Sequence, residues 1–383
     1  EKDIHIVDKV AYRNLVPGET YKVTGTAIDK TTGEALKDDA GADVTATATF
    51  KAKKANGTVD VEFVFDGSTL AGKTVVMYEN IYYNNKLVGV HADISDEAQI
   101  IYVPSVKTTA TDTKTETKLT YAEKDIKITD TVEYTNLIPG KTYKVTGTAV
   151  DKKTGKVIKD ADGKAVTSEA EITPETADGK VDVDFIFDGS NLAGKTIVMF
   201  EEIRYEGKLI GVHADINDEA QTVHIPLIFT SVKDKDTDSH MSLAGSDVTL
   251  TDTVVYRNLV PGKTYTVSGT LMDQRTGKAV TVNGKAVTSS ADFTPDTADG
   301  ETTVDFHFNT KGLDDTTVVV FEKMLYGKAE IAAHEDINDK GQTIYIPSVK
   351  TTAIDKKTAT KLTLAEKDIH IVDKVAYRNL VPG

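Results

Sequence analysis

The feature that most constrains this chain is its internal period. The phrase Y-[RT]-N-L-[VI]-P-G begins at Tyr12, Tyr134, Tyr256 and Tyr377, giving spacings of 122, 122 and 121 residues. A period of that length is a whole domain, because solenoid units run to roughly 20–50 residues. The stretch EKDIHIVDKVAYRNLVPG at Glu1–Gly18 returns unchanged at Glu366–Gly383, so three units form a higher-order repeat of 365 residues. The chain reads as a window on a longer, nearly periodic array with segments 1–103, 104–225, 226–346 and 347–383.

Within each unit the apolar pattern has a period of two. DIKITDTVEY (Asp125–Tyr134), TYKVTGTA (Thr142–Ala149) and KVDVDFIF (Lys180–Phe187) alternate as half-buried strands do. Turn residues separate them: Pro139-Gly140, the DKKTG of Asp151–Gly155 and the TADG of Thr176–Gly179. Asn56-Gly57, Asp178-Gly179 and Asp299-Gly300 each precede a strand and carry the sequence signature of a hairpin. KTIVMFEEIRY (Lys195–Tyr205) is apolar on both faces before it meets Glu201, as a central strand would be. Seven or more short strands in about 120 residues imply an all-β fold of immunoglobulin-like sandwiches. They are expected to join end to end in an elongated rod, with Pro104, Pro226 and Pro347 stiffening short linkers.

Charge narrows the partners. Asp and Glu outnumber Lys and Arg by 60 to 45, a formal charge of -15, which argues against nucleic acid and anionic membranes. No apolar run is long enough for a membrane-spanning helix, and no signal peptide opens the stretch. The chain has no cysteine, so any covalent bracing of these domains has to come from other chemistry.

The junction between units carries the candidate chemistry. HADISDEAQ (His91–Gln99), HADINDEAQ (His213–Gln221) and HEDINDKGQ (His334–Gln342) each end in a Gln, and nine residues later a Thr opens the next unit: Thr108, Thr230 and Thr351. One complete unit therefore holds Thr108, Asp130, Glu201, His213 and Gln221 in order, and the next holds Thr230, Asp252, Glu322, His334 and Gln342. A Thr hydroxyl is a weak nucleophile until a base takes its proton and another group polarises its target. Glu201, ending an apolar strand, is expected to have a raised pKa through desolvation, and a protonated carboxyl can donate to a developing oxyanion. The carboxamide of Gln can serve as the electrophile.

These residues resemble a known family, the VaFE-repeat or Thr-Gln ester bond domains of Gram-positive surface adhesins. The resemblance spans all three units and rests on the opening V-K-T-T-A, D-T-V-x-Y-x-N-L-x-P-G, the V-x-[FY]-E strand, H-x-D-I-x-D and the Gln that follows. It implies that the first-strand Thr attacks the last-strand Gln, releases ammonia and leaves an intramolecular ester. The bonds would be Thr108–Gln221 and Thr230–Gln342, with Asp130, Glu201, His213, Asp252, Glu322 and His334 as the acid, base and oxyanion groups. The first unit has Asp8, Glu79, His91 and Gln99 without an opening Thr, and the last has Thr351 and Asp373 without Glu, His or Gln. Those incomplete sites are either unlinked or completed by a neighbouring copy. In the third unit F-T-S-V-K-D replaces K-T-T-A-T-D, and alignment on Asp234 and Asp112 makes Thr230 rather than Ser231 the nucleophile.

The function implied is a structural stalk at the cell surface, anchored to the wall, each domain locked once and not turning over as an enzyme does. Its partners would be neighbouring repeats, other copies in a fibre and a host ligand at a tip domain, with no cofactor and no metal. His213, Asp215 and Asp218 read as turn-capping side chains rather than a ligand set, and Asp234, Asp236 and Asp238, which open like a calcium loop but lack its Gly and terminal Glu, read as a solvated acidic linker. The competing readings are a host-ligand-binding sandwich and a Lys-Asn isopeptide pilin.

Overall fold

In the segment 104–225 the alternating runs become eight strands: β1 Ser105–Asp112, β2 Ile126–Thr135, β3 Tyr143–Asp151, β4 Thr167–Ile172, β5 Gly179–Phe187, β6 Thr196–Tyr205, β7 Lys208–His213 and β8 Thr222–His224. The structure is a computed structural model and describes residues 4–381. The outermost residues of the sequence-derived segments, 1–3 and 382–383, lie outside the described residues. One sheet has the order β5-β2-β1; the other has β4-β3-β6-β7, with β8 also paired to β6. All pairings between these strands are antiparallel.

The two sheets face each other across a core that takes the inward residues of each alternation. Ile126, Ile128, Val132, Phe185 and Phe187 come from one sheet, and Val145, Ile197, Met199 and Ile203 from the other. Lys195–Tyr205 is central as its apolar character required, with β3 on one side and β7 and β8 on the other. After β1 the chain crosses to the second sheet, where Leu119 bridges His224 of β8 in parallel. This arrangement of two facing antiparallel sheets is that of an immunoglobulin-like sandwich.

The other segments repeat it. In residues 227–346 the strands Leu227–Asp234, Asp247–Arg257 and Gly300–Asn309 form one sheet, facing a second built on Tyr265–Asp273 and Thr316–Tyr326. In the first segment Ile4–Tyr12 pairs only with Gly57–Phe65, opposite a five-stranded sheet. Beyond residue 347 the described chain forms one ladder, Ser348–Asp355 against Ile371–Arg378. Among the described residues no helix is long and apolar enough to cross a membrane.

One sequence expectation is corrected. Asn56-Gly57, Asp178-Gly179 and Asp299-Gly300 do not turn hairpins: they carry the chain from one sheet to the other, since Gly179–Phe187 pairs with β2 and not with the preceding β4. The side chain at the first position accepts the backbone N–H of an Asn instead, as in Asn136 N to Asp178 Oδ1 at 2.9 Å. The glycine has a separate cause. A Cβ on Gly179 would lie 2.4 Å from the hydroxyl of Tyr134, whose ring covers it.

Candidate functional site

The site forms where the last strand is interrupted. β7 pairs with the second half of β6 up to Glu201 opposite His213, and β8 pairs with the first half from Val198 opposite Thr222. Between them the chain leaves the sheet as the loop that follows His213 and returns through a single 3-10 turn, Glu219–Gln221, capped by Asp218 Oδ1 accepting from Ala220 N. Gln221 therefore re-enters beside the stretch of β6 that has no partner, and it is fully buried.

Three more residues meet it there. Thr108 stands in β1 opposite Val132, and Ala110, two residues on, stands opposite Asp130, so Thr108 and Asp130 share a face. Glu201 points into the core from β6, where its neighbour on β3 is Gly147. That glycine is required: a Cβ on it would lie 2.4 Å from the ring of Phe185 in the facing sheet. Thr108, Asp130, Glu201 and Gln221 are all buried.

The contacts are short. Gln221 Nε2 lies 2.7 Å from Thr108 Oγ1 and 2.8 Å from Glu201 Oε2, and Thr108 Oγ1 donates to the same Glu201 oxygen at 3.1 Å. In the following repeat Thr230 Oγ1 donates to Glu322 Oε2 at 3.2 Å, and Gln342 Nε2 contacts both Thr230 Oγ1 and Glu322 Oε2. His334 adds its Nδ1 at 3.1 Å from Thr230 Oγ1. The ring is held from behind, since Nε2 of His334 pairs with Asp339 at 3.0 Å and Nε2 of His213 with Asp218 at 2.9 Å. An imidazole that donates Nε2–H to a carboxylate keeps Nδ1 as the acceptor.

Two carboxyls share the floor of each site. Burial, then the facing Asp130 carboxyl, pushes Glu201 up to about 10, and the same causes push Glu322 up to about 11 beside Asp252. Asp130 is raised by burial, and Asp252 is raised by burial to about 6. At neutral pH the Glu of each pair therefore keeps its proton, because two buried like charges in contact cannot both form. Every buried side-chain polar atom left without a partner among the described residues belongs to these sites, including Asp130 Oδ1 and Oδ2, Glu201 Oε1 and Gln221 Oε1. A folded protein rarely leaves such atoms unpaired, so their concentration marks where chemistry or a shared proton is expected.

The incomplete sites are also placed. In the first segment Gln99 Nε2 lies 2.7 Å from Glu79 Oε2 and 3.2 Å from His91 Nδ1, and His91 Nε2 lies 2.9 Å from Asp96 Oδ2. Burial and the neighbouring Asp8 raise Glu79 to about 9. Asp8, Glu79, His91 and Gln99 line an open groove of about 460 Å³, in the position that β1 fills in the next repeat. Thr351 and Asp373 lie on the final ladder, both exposed and remote from any Glu, His or Gln of this kind.

Two groups escaped the sequence reading. Asp218 appeared only as a turn cap and Asp339 not at all, yet their second oxygens orient the histidines. Lys118 reaches the carbonyls of Ala110 and Ala220, beside Thr108 and Gln221, and its charge lowers Asp130 against the effect of burial. Burial lowers the pKa of Lys118 itself. A signal existed: a basic residue stands ten positions after each Thr, as Lys118, His240 and Lys361. Asp234, expected in a solvated acidic linker, is instead buried and caps its own turn by accepting from Asp236 N and Thr237 N.

The profile of the family described as "T-Q ester bond containing domain" matches residues 1–103, 104–225, 226–346 and 347–383. No curated protein matches the chain. Among solved structures, a bacterial adhesin from Mobiluncus mulieris containing intramolecular disulfide, isopeptide and ester bond cross-links aligns at 15% identity over 72% of this chain and 93% of its own, with a TM-score of 0.27. A putative beta-galactosidase from Bacteroides fragilis aligns at 12% identity over 60% of this chain and 33% of its own, with a TM-score of 0.24. The family assignment rests on the profile and not on these superpositions.

Proposed function

The chain belongs to the T-Q ester bond containing domain family, and on that premise we propose that Thr108 is joined to Gln221, and Thr230 to Gln342, in a repetitive stalk displayed at a bacterial cell surface and anchored to the wall. The observation that carries this reading is the 2.7 Å contact between the Thr108 hydroxyl and the Gln221 carboxamide, buried beside Glu201, with His213 partly exposed at the edge of the pocket.

The chemistry follows from the groups present. His Nδ1 accepts the Thr proton as Oγ1 attacks Cδ of the Gln, and Asp218 or Asp339 stabilises the imidazolium that forms. Rotation of the carboxamide presents its oxygen to the neutral Glu hydroxyl, which donates to the negative charge that develops there. The Oγ1–Cδ bond forms, the Cδ–Nε2 bond breaks, and the proton held by His leaves with the nitrogen as ammonia. Both acyl donor and nucleophile belong to the chain, so each site reacts once.

A bond spanning Thr108 to Gln221 closes a loop of 113 residues. Closure of a loop that long should stabilise a domain by about 4–5 kcal/mol in the chain-entropy account. Because β1 enters the repeat and β8 leaves it, tension along the chain would also pass through the ester and spare the sandwich between them. The test is substitution: Gln221→Ala should remove the first bond and leave the second, and Gln342→Ala the reverse, each read from the mass of the denatured chain. Persistence of both bonds in either variant would exclude the assignment.

A further inference from the structure

We propose that the Asn of each N-L-x-P-G loop is a docking residue that fixes one repeat against the one before it, so that the array is stiff at its joints. The same contact recurs at three junctions. Asn136 Nδ2 donates to the carbonyls of Lys73 at 2.7 Å and Val103 at 3.3 Å; Asn258 Nδ2 donates to Lys195 at 2.6 Å and Ile225 at 3.2 Å; Asn379 Nδ2 donates to Thr316 at 2.8 Å and Ile346 at 3.3 Å. The other end of each amide accepts from a Thr hydroxyl of the preceding repeat: Thr74 at 3.0 Å, Thr196 at 2.7 Å and Thr317 at 2.9 Å.

The acceptors are placed at the end of the preceding sandwich. Ile225 N donates to Lys195 O and Gly194 N to Ile225 O, so these two carbonyls already close the edge of that repeat and retain one lone pair each. The Asn amide takes both. Carbonyl oxygens only accept and the Thr hydroxyl can donate, so a side chain with a donor at one end and an acceptor at the other is selected. Asp has the same shape and would set a carboxylate against two carbonyl oxygens.

The residue is also held ready on its own side. Asn136 and Asn258 sit in the left-handed region at φ 63°, which Asn tolerates better than most residues. Their N–H groups are fixed by Asp178 and Asp299, each at 2.9 Å. The next residues, Leu137 and Leu259, are fully buried, and the Tyr143 and Tyr265 hydroxyls accept from the backbone of the residues after those. The loop is therefore a rigid mount, and the amide loses little freedom on docking.

The consequence is mechanical. A tether of one or two residues, such as Pro226 between Ile225 and Leu227, leaves two domains free to rotate about it, and motion is the default for domains with small interfaces. A second attachment off the tether's axis removes that rotation. At the junction of the second and third repeats Leu119 adds to it, being buried with the core of the following repeat beside Val260 and Tyr326. This inference does not depend on the esters.

The test uses the full chain, which has no cysteine and so accepts one pair of introduced labels. Spin labels at Asp162→Cys and Lys285→Cys, both exposed sites in adjacent repeats, report the joint, and labels at Asp162→Cys and Lys180→Cys report a single repeat. Asn258→Gly removes the side chain without strain at positive φ, and Asn258→Asp keeps the shape and reverses the donor. The expected result is a narrow distance distribution across the joint in the parent and a broadening of about twofold or more in both variants, with the single-repeat distribution unchanged. A broad distribution in the parent, or one that stays narrow in both variants, overturns the proposal. Should Asn258→Gly disturb the single-repeat distance, Asn136→Gly with labels across the first joint decides the question.

Discussion

Nε2 of His213 lies 2.9 Å from Oδ2 of Asp218, five residues further along the chain, while the other oxygen of Asp218 caps the 3-10 turn that delivers Gln221. One side chain thus sets both the tautomer of the base and the entry of the electrophile. Asp218→Asn keeps an oxygen for the cap and removes the charge. It should slow closure of the second repeat by about 100-fold or more while the third repeat closes normally. The fraction of each bond formed at fixed times after cell-free synthesis, read by peptide mass, checks this.

Protonation of the paired carboxyls makes an unlinked repeat sensitive to pH. Glu322 has an ordinary pKa of 4.5 and is raised to about 11 in the fold, so between those values the folded state binds the extra proton. Its contribution is complete below pH 4.5 and is lost as pH rises toward 11. Asp252 has the same sign over the window from 3.8 to about 6. In a Thr230→Val chain the third repeat should therefore melt at lower temperature at pH 9 than at pH 6.5, and Glu322→Gln should flatten that slope. A melting temperature that rises with pH would contradict the assignment of the proton.

Gly147 is the neighbour of Glu201 across the sheet, and a Cβ there would meet the Phe185 ring at 2.4 Å. Gly147→Ala has to move that ring or the strand, at a cost of about 1–3 kcal/mol. The second repeat should lose stability by that amount in denaturant. Its bond should also form more slowly than the third repeat's, because Glu201 moves with its strand.

Removing the nucleophile without changing its shape isolates the effect of the cross-link. Thr108→Val should lower the stability of the second repeat by about 4–5 kcal/mol through lost loop closure. Limited proteolysis should then cut that repeat first and spare the third.

Much of this was legible in the sequence for a physical reason: alternation and period depend on burial, which residue type reports directly. The all-β sandwich and the central place of Lys195–Tyr205 follow from such patterns, whereas the pairing of Thr108 with Gln221 comes only from the family resemblance. What was not legible depends on contacts between distant segments. Asp178-Gly179 looks like a hairpin turn, but its glycine answers to Tyr134 and its Asp to Asn136, both more than 40 positions away in sequence. Lys118 and Asp218 are ordinary polar residues until the fold brings them beside Thr108 and His213. Asn136 and Asn258 stood out only as letters of the repeated N-L-x-P-G phrase, and only the preceding repeat reveals what their side chains touch.

The most direct test of the central claim is the intact mass of the purified, denatured chain, followed by peptide mapping. The account predicts a mass below the calculated value by two ammonia molecules, with cross-linked peptides that tie Thr108 to Gln221 and Thr230 to Gln342. The full calculated mass in well-folded protein, with Thr108 and Gln221 recovered in separate peptides, would contradict it.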